Sequence, residues 1–378
     1  MNATFHGYSA AQALRSGGRE TVREALLDVR KRSLALADAY AVAESASGRG
    51  MSIPYAPELN PPLWELGHTG WFQEYWIGRN HQRAIGNRCD PDHPRAASLL
   101  AQADACYDSG RVEHRSRWSL PLPDAKTARA YLAATLAQTL SLLDALPPDA
   151  GHDALYFFRL VALHEAMHAE AAVYMAKALG IAVNESRPAA RWESADSVLQ
   201  VPAQSVRLGS ASTGFAFDNE LGAHDVQLEA FEIDAEPVNW TRFLAYATGT
   251  GVPLKPQWLA AAAHDPLAAA VHLSAEEAET WCRWAGRRLP TEAQWECAAL
   301  SQPAFRWGQV WEWTASTFQP YPGFERHPYS DYSAPWFGTH RVLRGACEAT
   351  SPWLAHPKYR NFFEPQRSDI FAGFRSCA

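Results

Sequence analysis

The feature that most constrains the fold of this 378-residue chain is a change of periodicity near its middle. Upstream of that point, apolar residues recur at helical spacing in four long segments rich in Ala, Leu, Arg and Glu. The four segments are residues 10–45, 63–80, 125–146 and 154–179. Clusters of Pro, Gly and Asp separate them, and amphipathic helices bury their apolar faces against one another. The first half therefore predicts an all-α four-helix bundle.

Downstream of residue 190, short alternating stretches broken by Gly, Pro and Asn replace the helical pattern. They lie at residues 206–208, 226–233 and 342–343, and clear helical spacing returns only at 275–285 and 291–299. We expect a multi-domain protein with the bundle over residues 1–190 and a loop-rich α+β domain over 191–378. The 15 Trp, 13 Tyr and 16 Phe are expected to fill much of the second core.

Charge and apolar content exclude several classes of function. The net charge is -7, whereas proteins that bind a phosphate backbone concentrate positive charge. The apolar runs are far shorter than the roughly 20 residues of a membrane-spanning helix. The six cysteines include no C-x-x-C pair, and no basic and then apolar leader pattern stands at the start. We expect a cytoplasmic protein that binds neither nucleic acid nor membrane, with its oligomeric state open.

A pair of histidines marks the last bundle segment. His164 and His168 are four residues apart, which places both imidazoles on one helix face. Burying two imidazoles without a metal ion or acidic partners would cost desolvation at each. His68, on the second helical segment and flanked by large aromatic residues, can supply a third ligand, because bundles build metal sites from facing helices. Three neutral imidazoles leave coordination positions open, as non-haem iron requires, and zinc accepts the same set.

The same segment spells the H-E-x-x-H pattern of zinc proteases, in which Glu165 would be the general base. The longer protease patterns add a downstream Gly and a third His, and neither follows here. At about 100° per residue, Glu170 lies about 200° around the helix from His168, and Glu165 is also rotated away. We expect both carboxylates to make helix contacts or hydrogen bonds outside the coordination sphere.

Ordered motifs in both halves resemble one known family. The bundle half contains G-H-x-x-W-F-x-E at residues 67–74 and H-x-x-x-H-x-E at 164–170. The second half contains R-L-P-T-E-A-Q-W-E at 288–296, V-W-E-W-T-A-S at 310–316 and G-F-R at 373–375. Together they resemble the iron-dependent sulfoxide synthases of ergothioneine biosynthesis over nearly the whole chain. The resemblance implies a DinB-like bundle followed by a formylglycine-generating-enzyme-like domain of C-type-lectin-like fold.

It also implies an oxidoreductase that uses Fe(II) and molecular oxygen, with hercynine as the acceptor substrate and His68, His164 and His168 as the iron ligands. A formylglycine-generating activity is not implied, because Cys347 and Cys377 lack the arrangement of that enzyme's active site. Cys347 also stands where the family usually has a Gly-Gly-Ser pattern, which weakens any role inherited by this loop.

Two stretches, at residues 60–68 and 359–365, are more similar to the selenoneine synthases of this family. Ergothioneine enzymes more often carry Lys and His shortly before the first ligand, where Leu63 and Glu65 stand here, and Trp-Asp where Phe362 and Phe363 stand. The missing Asp helps to hold the amino-acid part of a sulfur donor in that branch. The resemblance thus favours carbon–selenium bond formation between hercynine and a selenosugar, giving selenoneine.

Three alternatives stay open. The first is an ergothioneine-type reaction with γ-glutamylcysteine or cysteine as the donor. The second is a zinc hydrolase that uses His164, Glu165 and His168. The third is a noncatalytic binding module in which the second domain binds a ligand and the histidines are structural.

The resemblance assigns further residues to the site. Asn361 and Phe362 would border hercynine, whose trimethylammonium group is recognised by aromatic faces and carboxylates, and Gln73 would contact its imidazole. Ordinary core packing is the alternative for Phe362. The remaining assignments are a tyrosine that donates a proton or an electron, namely Tyr321 by its distance from Asn361 or else Tyr329 or Tyr332, and three arginines for the donor, Arg111, Arg115 and Arg117. A solvated basic stretch is the alternative for the arginines.

Overall fold

The computed structural model of the chain describes residues 6–48, 50–183 and 197–378. The helices within these ranges are α1 (His6–Ser16), α2 (Arg19–Ser47), α3 (Pro62–Gln73), α4 (Ala103–Tyr107), α5 (Ala125–Asp144), α6 (His152–Leu179), α7 (Trp240–Thr250), α8 (Pro256–His264), α9 (Ala275–Trp284) and α10 (Glu292–Ser301). The strands are β1 (Val198–Val201), β2 (Gln204–Leu208), β3 (His224–Leu228), β4 (Phe231–Asp234), β5 (Trp311–Thr317), β6 (Arg341–Gly345), β7 (Asn361–Phe363) and β8 (Ala372–Gly373).

The first half is the expected bundle, built from α2, α3, α5 and α6. One prediction was wrong, because residues 10–45 do not form a single helix. The amide of Gly17 donates to the carbonyl of Ala13 at 2.6 Å, and a Cβ at position 17 would lie only 2.4 Å from that oxygen. Glycine also disfavours a helix interior. The chain therefore ends α1 before Gly17 and restarts with α2 after Gly18.

The second half is an α+β domain, as predicted. Its largest sheet has the strand order β7-β6-β5-β8, with β5 and β8 parallel and the other pairs antiparallel. β1 pairs with β4 and β2 with β3 in two smaller antiparallel sheets. The expected strand at residues 226–233 is therefore two strands in different sheets. The periodicity also missed α7 and α8, which Asn239 as an N-cap and Pro256 at the first helical turn could have indicated. The predicted domain junction at residue 190 lies outside the described residues.

Buried ion pairs hold the loops of the second domain. Arg360 forms a two-pronged pair with Glu292, with both distances 2.9 Å, and Arg344 pairs with Glu296. These carboxylates belong to the R-L-P-T-E-A-Q-W-E motif, so that motif fixes the fold of the domain. Removing one partner of a buried pair leaves an uncompensated charge and costs about 3–5 kcal/mol.

The two halves are joined through polar contacts, one of them buried and the other half-buried. Arg15 of α1 pairs with Glu220 of the second domain at 2.5 and 2.9 Å, and the indole of Trp353 donates to Asp28 of α2 at 2.9 Å. The second domain therefore packs directly on α1 and α2 of the bundle. No helix in the described ranges is long and apolar enough to cross a membrane.

Candidate metal centre

The three predicted metal ligands converge in the bundle. The possible ligand atoms of His68, His164 and His168 all lie within 4.8 Å of one another. The Nε2 atoms of His164 and His168 are 3.1 Å apart. Two nitrogens bound to one ion at about 2.1 Å lie about 3 Å apart when their bonds are near right angles, so this spacing suits a shared metal ion. α3 therefore contributes one imidazole and α6 contributes two, and the four-residue spacing predicted the shared face of the two on α6.

A backbone carbonyl orients His68. Its Nδ1 lies 2.8 Å from the carbonyl oxygen of Tyr107, which requires the hydrogen on Nδ1 and leaves Nε2 for a metal. Gly67, the residue before His68, allows Tyr107 to come this close. A Cβ at Gly67 would lie 2.1 Å from Cζ of the Tyr107 ring, so only glycine fits there.

A carboxylate orients His168. Its Nδ1 hydrogen-bonds Glu65, whose other oxygen accepts from the Asn60 amide at 2.6 Å. Arg117 donates to Asn60 at 2.8 Å, and its guanidinium lies 4.0 Å above the ring of Trp64. The sequence reasoning did not assign this role to Glu65. The available signal was its position one turn before His68 on the same helix.

Aromatic rings stack on the faces of two ligand imidazoles. Trp64 stacks on His68 with ring centres 4.6 Å apart, and Phe72 stacks on His164 at 3.5 Å with the rings nearly parallel. Both aromatics are buried on α3. An apolar surround of this kind limits water and holds the rings in one orientation.

The electrostatics match a metal-binding state. Burial, helped by the neighbouring His168, lowers the pKa of His68 to about 3, and burial also places the pKa of His164 well below its ordinary value. Burial alone would raise the pKa of Glu65, but the adjacent imidazoles outweigh it and lower that pKa to about 2. At neutral pH, two neutral imidazoles therefore stand beside an ionised carboxylate, and neutral imidazole is the form that binds metal.

The other two carboxylates of α6 lie outside the triad, as expected. Glu165 forms a buried two-pronged pair with Arg30, at 2.7 and 3.1 Å. A carboxylate held in this way is not free to act as a general base, which argues against the zinc hydrolase. Glu170 accepts from the Trp311 indole at 2.5 Å and from the Thr350 hydroxyl at 2.6 Å, so it joins α6 to the second domain.

Cys347 lies beside that contact and hydrogen-bonds Thr350, with Sγ and Oγ1 3.3 Å apart. Burial and the nearby Glu170 raise the pKa of Cys347 well above its ordinary value. All six cysteines are buried and free. A protonated, enclosed thiol suits a structural role. The loop around Cys347 contacts α6 through Thr350, which donates to Glu170.

Tyrosines of the second domain form the opposite side of the site. The Tyr329 ring lies 5.9 Å from His164 and 4.8 Å from Phe72, edge to face in both cases. Tyr332 stacks near Tyr329, with ring centres 5.7 Å apart. The Tyr321 hydroxyl instead donates to Glu292 at 2.9 Å, within the ion pairs of the domain core. The structure thus places Tyr329 against the triad and Tyr321 in the domain core. The number of residues between a tyrosine and Asn361 does not predict their separation in space when the chain between them is a long loop.

A second group of hydroxyls reaches α6. Tyr332 donates to the hydroxyl of Tyr359 at 3.0 Å, and Tyr359 lies 3.2 Å from the sulfur of Met167. Met167 is half-buried and directly precedes His168. Sequence reasoning did not single out Met167 or Tyr359, although the place of Met167 between the two α6 ligands was a signal.

Phe362 and Asn361 lie next to this group. The Phe362 ring stacks on Phe318 at 4.1 Å and meets the edge of Tyr332 at 5.7 Å. The side-chain oxygen of Asn361 accepts from the amide of Phe362 at 2.9 Å. Both residues are half-buried on β7. An aromatic series therefore runs from His164 through Tyr329 and Tyr332 to Phe362.

The remaining predicted residues lie in different settings. Gln73 is buried, and its carbonyl oxygen accepts from Arg30 at 2.6 Å, while its amide nitrogen has no partner among the residues that the structure describes. Arg111 is largely exposed and pairs with Asp108, and the exposed Arg115 lies 5.3 Å above the ring of Tyr55. Of the three arginines, Arg117 is the one that reaches the ligands of the triad, through Asn60 and Glu65.

Comparison with known proteins fits both halves of the chain. Residues 25–172 match the DinB superfamily, and residues 184–309 and 305–378 match the sulfatase-modifying factor enzyme 1-like domain. The formylglycine-generating enzyme of Streptomyces coelicolor is 26% identical and covers 52% of this chain and 93% of its own length. That likeness is confined to about half of the chain.

Two relatives match over most of both chains. The hercynine oxygenase of Mycolicibacterium smegmatis is 30% identical, with 94% of this chain and 98% of the relative covered. The hercynine oxygenase of Mycobacterium tuberculosis is also 30% identical, with coverages of 85% and 91%. A bundle with three converging histidines, joined to a domain of the sulfatase-modifying factor type, is thus matched over most of its length, and the chain belongs to the hercynine oxygenase family of oxidoreductases.

Proposed function

We propose that this enzyme uses Fe(II) and molecular oxygen to join hercynine to a sulfur or selenium donor through a new carbon–chalcogen bond. One observation carries the proposal: three oriented imidazoles converge on one point opposite Tyr329 of the second domain. Membership of the hercynine oxygenase family supports hercynine as the acceptor. The same membership argues against the noncatalytic binding module.

The donor set fits iron. Three neutral imidazoles on one side of an ion suit Fe(II) and leave positions open for other ligands. Bound iron would supply the activation of oxygen and stabilise the deprotonated chalcogen. Tyr107 and Glu65 would hold the ligand rings in the required tautomers, and Trp64 and Phe72 would keep water from their faces.

Tyr329 is the proposed proton donor. Burial raises its pKa above the ordinary value, with Asp331 adding to the effect, so the hydroxyl stays protonated at neutral pH. Its ring lies edge to face against His164, with ring centres 5.9 Å apart, so its hydroxyl would act close to the triad. Tyr321, which donates to Glu292, would instead stabilise the domain.

Hercynine would lie along the aromatic series. Its trimethylammonium group offers no strong hydrogen-bond donor, so ring faces such as those of Phe362 and Tyr332 would bind it, each worth about 0.5–2 kcal/mol. Asn361, on the same strand, would contact the other end of the amino acid. The buried amide nitrogen of Gln73 has no partner within the described ranges, and while the carbonyl stays bonded to Arg30 this nitrogen would donate to the imidazole.

A thiol such as γ-glutamylcysteine or cysteine is the first candidate donor, because relatives named hercynine oxygenases match most of the chain. Arg117 suits an anionic donor, since its buried Nε has no partner in the described part of the chain and the residue is linked to His168 through Asn60 and Glu65. A selenosugar is the second candidate. Phe363 supports it, because this residue stands where the ergothioneine branch has an Asp and its ring faces Arg367 at 5.3 Å instead.

A competition experiment tests the acceptor and donor together. The protein is loaded with Fe(II) without oxygen, mixed with hercynine and equal amounts of γ-glutamylcysteine, cysteine and a selenosugar, and then exposed to oxygen. Mass spectrometry should show one dominant hercynine adduct and oxygen consumption that depends on hercynine. Zinc-loaded protein is the matched control and should be inactive. Full activity with zinc, or an oxygen-independent product, would refute the proposal.

A further inference from the structure

Met167 differs from the other methionines in the part of the chain that the structure describes. It is half-buried, whereas Met51 and Met175 are 4% and 2% exposed. At about 100° per residue, Met167 lies about 60° around α6 from His164. Glu170, which joins α6 to the second domain, follows on its other side. The side chain of Met167 therefore lies at the border between the metal ligands of α6 and the second domain.

Two tyrosines of the second domain contact the sulfur of Met167. The hydroxyl of Tyr359 donates to it at 3.2 Å, and the hydroxyl of Tyr332 lies 3.9 Å away. Tyr332 donates to Tyr359 at 3.0 Å, which leaves the hydrogen of Tyr359 for the sulfur. A thioether sulfur is a weak acceptor, whereas a sulfoxide is polar, so these hydroxyls favour the oxidised form of the side chain.

The sulfur also lies on the side of the metal centre that faces the second domain. The rings of Tyr332 and Tyr329 are 5.7 Å apart, and Tyr329 is 5.9 Å from His164. Hydrogen peroxide is the product of two-electron reduction of oxygen, and an oxygen-dependent enzyme releases it when oxygen is reduced without a completed reaction. Met51 and Met175 are instead buried in two other apolar clusters of the bundle. Met167 is thus the described methionine that peroxide formed at the metal centre would meet.

We propose that Met167 is an oxidation site, at which hydrogen peroxide converts the thioether to methionine sulfoxide and thereby weakens the binding of hercynine. In this step the O–O bond of the peroxide breaks and an S–O bond forms. The sulfur loses two electrons, and the second oxygen leaves as water with both peroxide protons. The effect on hercynine rests on the proposed function, whereas the oxidation site itself does not.

The space around the sulfur explains the effect on binding. The 3.2 Å between the sulfur and the Tyr359 hydroxyl cannot hold another oxygen, because an S–O bond and an O–H···O hydrogen bond of about 2.7 Å together exceed this distance. The new oxygen therefore either displaces Tyr359, and with it Tyr332, or projects into the space beside them. Either change narrows the space in which hercynine would lie along Tyr332 and Phe362.

Peptide mass spectrometry tests the site without any activity. Zinc-loaded protein, in which no iron decomposes the reagent, is treated with hydrogen peroxide and digested at intervals. Met167 should gain one oxygen atom about ten-fold faster than Met51 and Met175. In urea these rates should become similar, because the fold alone separates them. Equal rates in the folded protein, or faster oxidation of either buried methionine, would overturn the proposal.

Hercynine binding to the same zinc-loaded samples tests the effect. Calorimetry should show a Kd for hercynine about ten-fold higher once Met167 of the wild type is oxidised. Met167→Leu keeps an apolar side chain of similar size that cannot be oxidised, so its treated and untreated samples should bind hercynine alike. Met175→Leu is the matched control and should respond to peroxide as the wild type does.

The two measurements separate the possible failures. Selective oxidation of Met167 with an unchanged Kd would refute the effect on binding. Untreated protein that binds no hercynine would refute the proposed function, and with it the effect on binding, but not the oxidation site.

Discussion

The two sides of the metal centre are built in different ways. The bundle side, with His68, His164 and His168, comes from two regular helices, and each ligand is held by ring stacking or a hydrogen bond. The C-terminal side, with Tyr329 and Phe362, comes from a loop and a three-residue strand that buried ion pairs fix from behind. A helix places side chains through its own periodicity, whereas a loop places them through distant contacts. Substitutions on the bundle side should therefore change iron binding, whereas substitutions on the C-terminal side should change kcat with iron binding intact.

Removing a metal ligand should have the largest effect, because it should abolish both iron binding and activity. His68→Ala leaves two imidazoles, so we expect loss of bound iron and a fall in kcat/KM of about 10³-fold or more. Iron analysis and oxygen uptake measure both effects. His81→Ala changes an exposed histidine that follows α3, and this variant should retain full iron and activity. An active, iron-loaded His68→Ala protein would show that the triad is not the metal site.

The tyrosines test the C-terminal side. Tyr329→Phe removes the proposed proton donor and should lower kcat about 10²-fold with iron content unchanged. Tyr321→Phe removes a hydrogen bond to Glu292 and should instead lower the free energy of unfolding by about 2 kcal/mol, with kcat within a few-fold of the wild type. Rapid kinetics and urea unfolding separate the two results. A large fall in kcat for Tyr321→Phe, with only a loss of stability for Tyr329→Phe, would identify Tyr321 as the proton donor and exclude Tyr329.

Glu65 tests whether orientation on the bundle side matters beyond the ligands themselves. Glu65→Gln keeps the shape of the side chain but removes its charge from His168, and it should weaken iron affinity about 10–100-fold. Glu170→Gln is the matched variant on α6. It should lower stability through Trp311 and Thr350 while iron affinity changes little. Equal iron affinities in the wild type and the Glu65 variant would contradict the orienting role.

The same contrast explains what the sequence could predict. Helical spacing predicted the bundle and the shared face of His164 and His168, because i and i+4 positions share a face whatever the tertiary context. His68 was added to them because bundles build metal sites from facing helices. It could not separate Tyr329 from Tyr321, since both lie in one loop whose path depends on the buried pair of Arg360 and Glu292.

Overlooked helix signals and contacts between distant residues account for the other differences. The glycine pair after Ser16 splits the first predicted helix, and α7 and α8 were hidden among Gly and Pro residues that usually indicate loops. Glu65 was first noted as a departure from a related pattern, and its bond to His168 became visible only once α3 and α6 were placed together.

The contact between the two sides gives the smallest expected effect. Burial lowers the pKa of His327 to about 4, and its ring lies between Tyr156 of α6, at 2.9 Å, and Asn87, at 3.3 Å. An unfolded histidine has a pKa of about 6.5, so the unfolded chain binds more protons than the folded one between these values. Stability from this group is therefore fully present above pH 6.5 and falls, by at most about 3 kcal/mol, as the pH drops through 4.

His327→Gln should remove that dependence. The variant should be less stable than the wild type at pH 7 by about 1 kcal/mol, because it loses polar contacts. The gap should close and then reverse as the pH falls toward 4, because only the wild type loses stability through this group. Urea midpoints at intervals between pH 7 and 4.5 measure this, and His81→Gln should follow the wild type throughout, because that histidine is exposed. A constant gap across the range would mean that His327 titrates equally in the folded and unfolded chains, and that the junction between bundle and C-terminal side is wetter than the packing of Tyr156 against it implies.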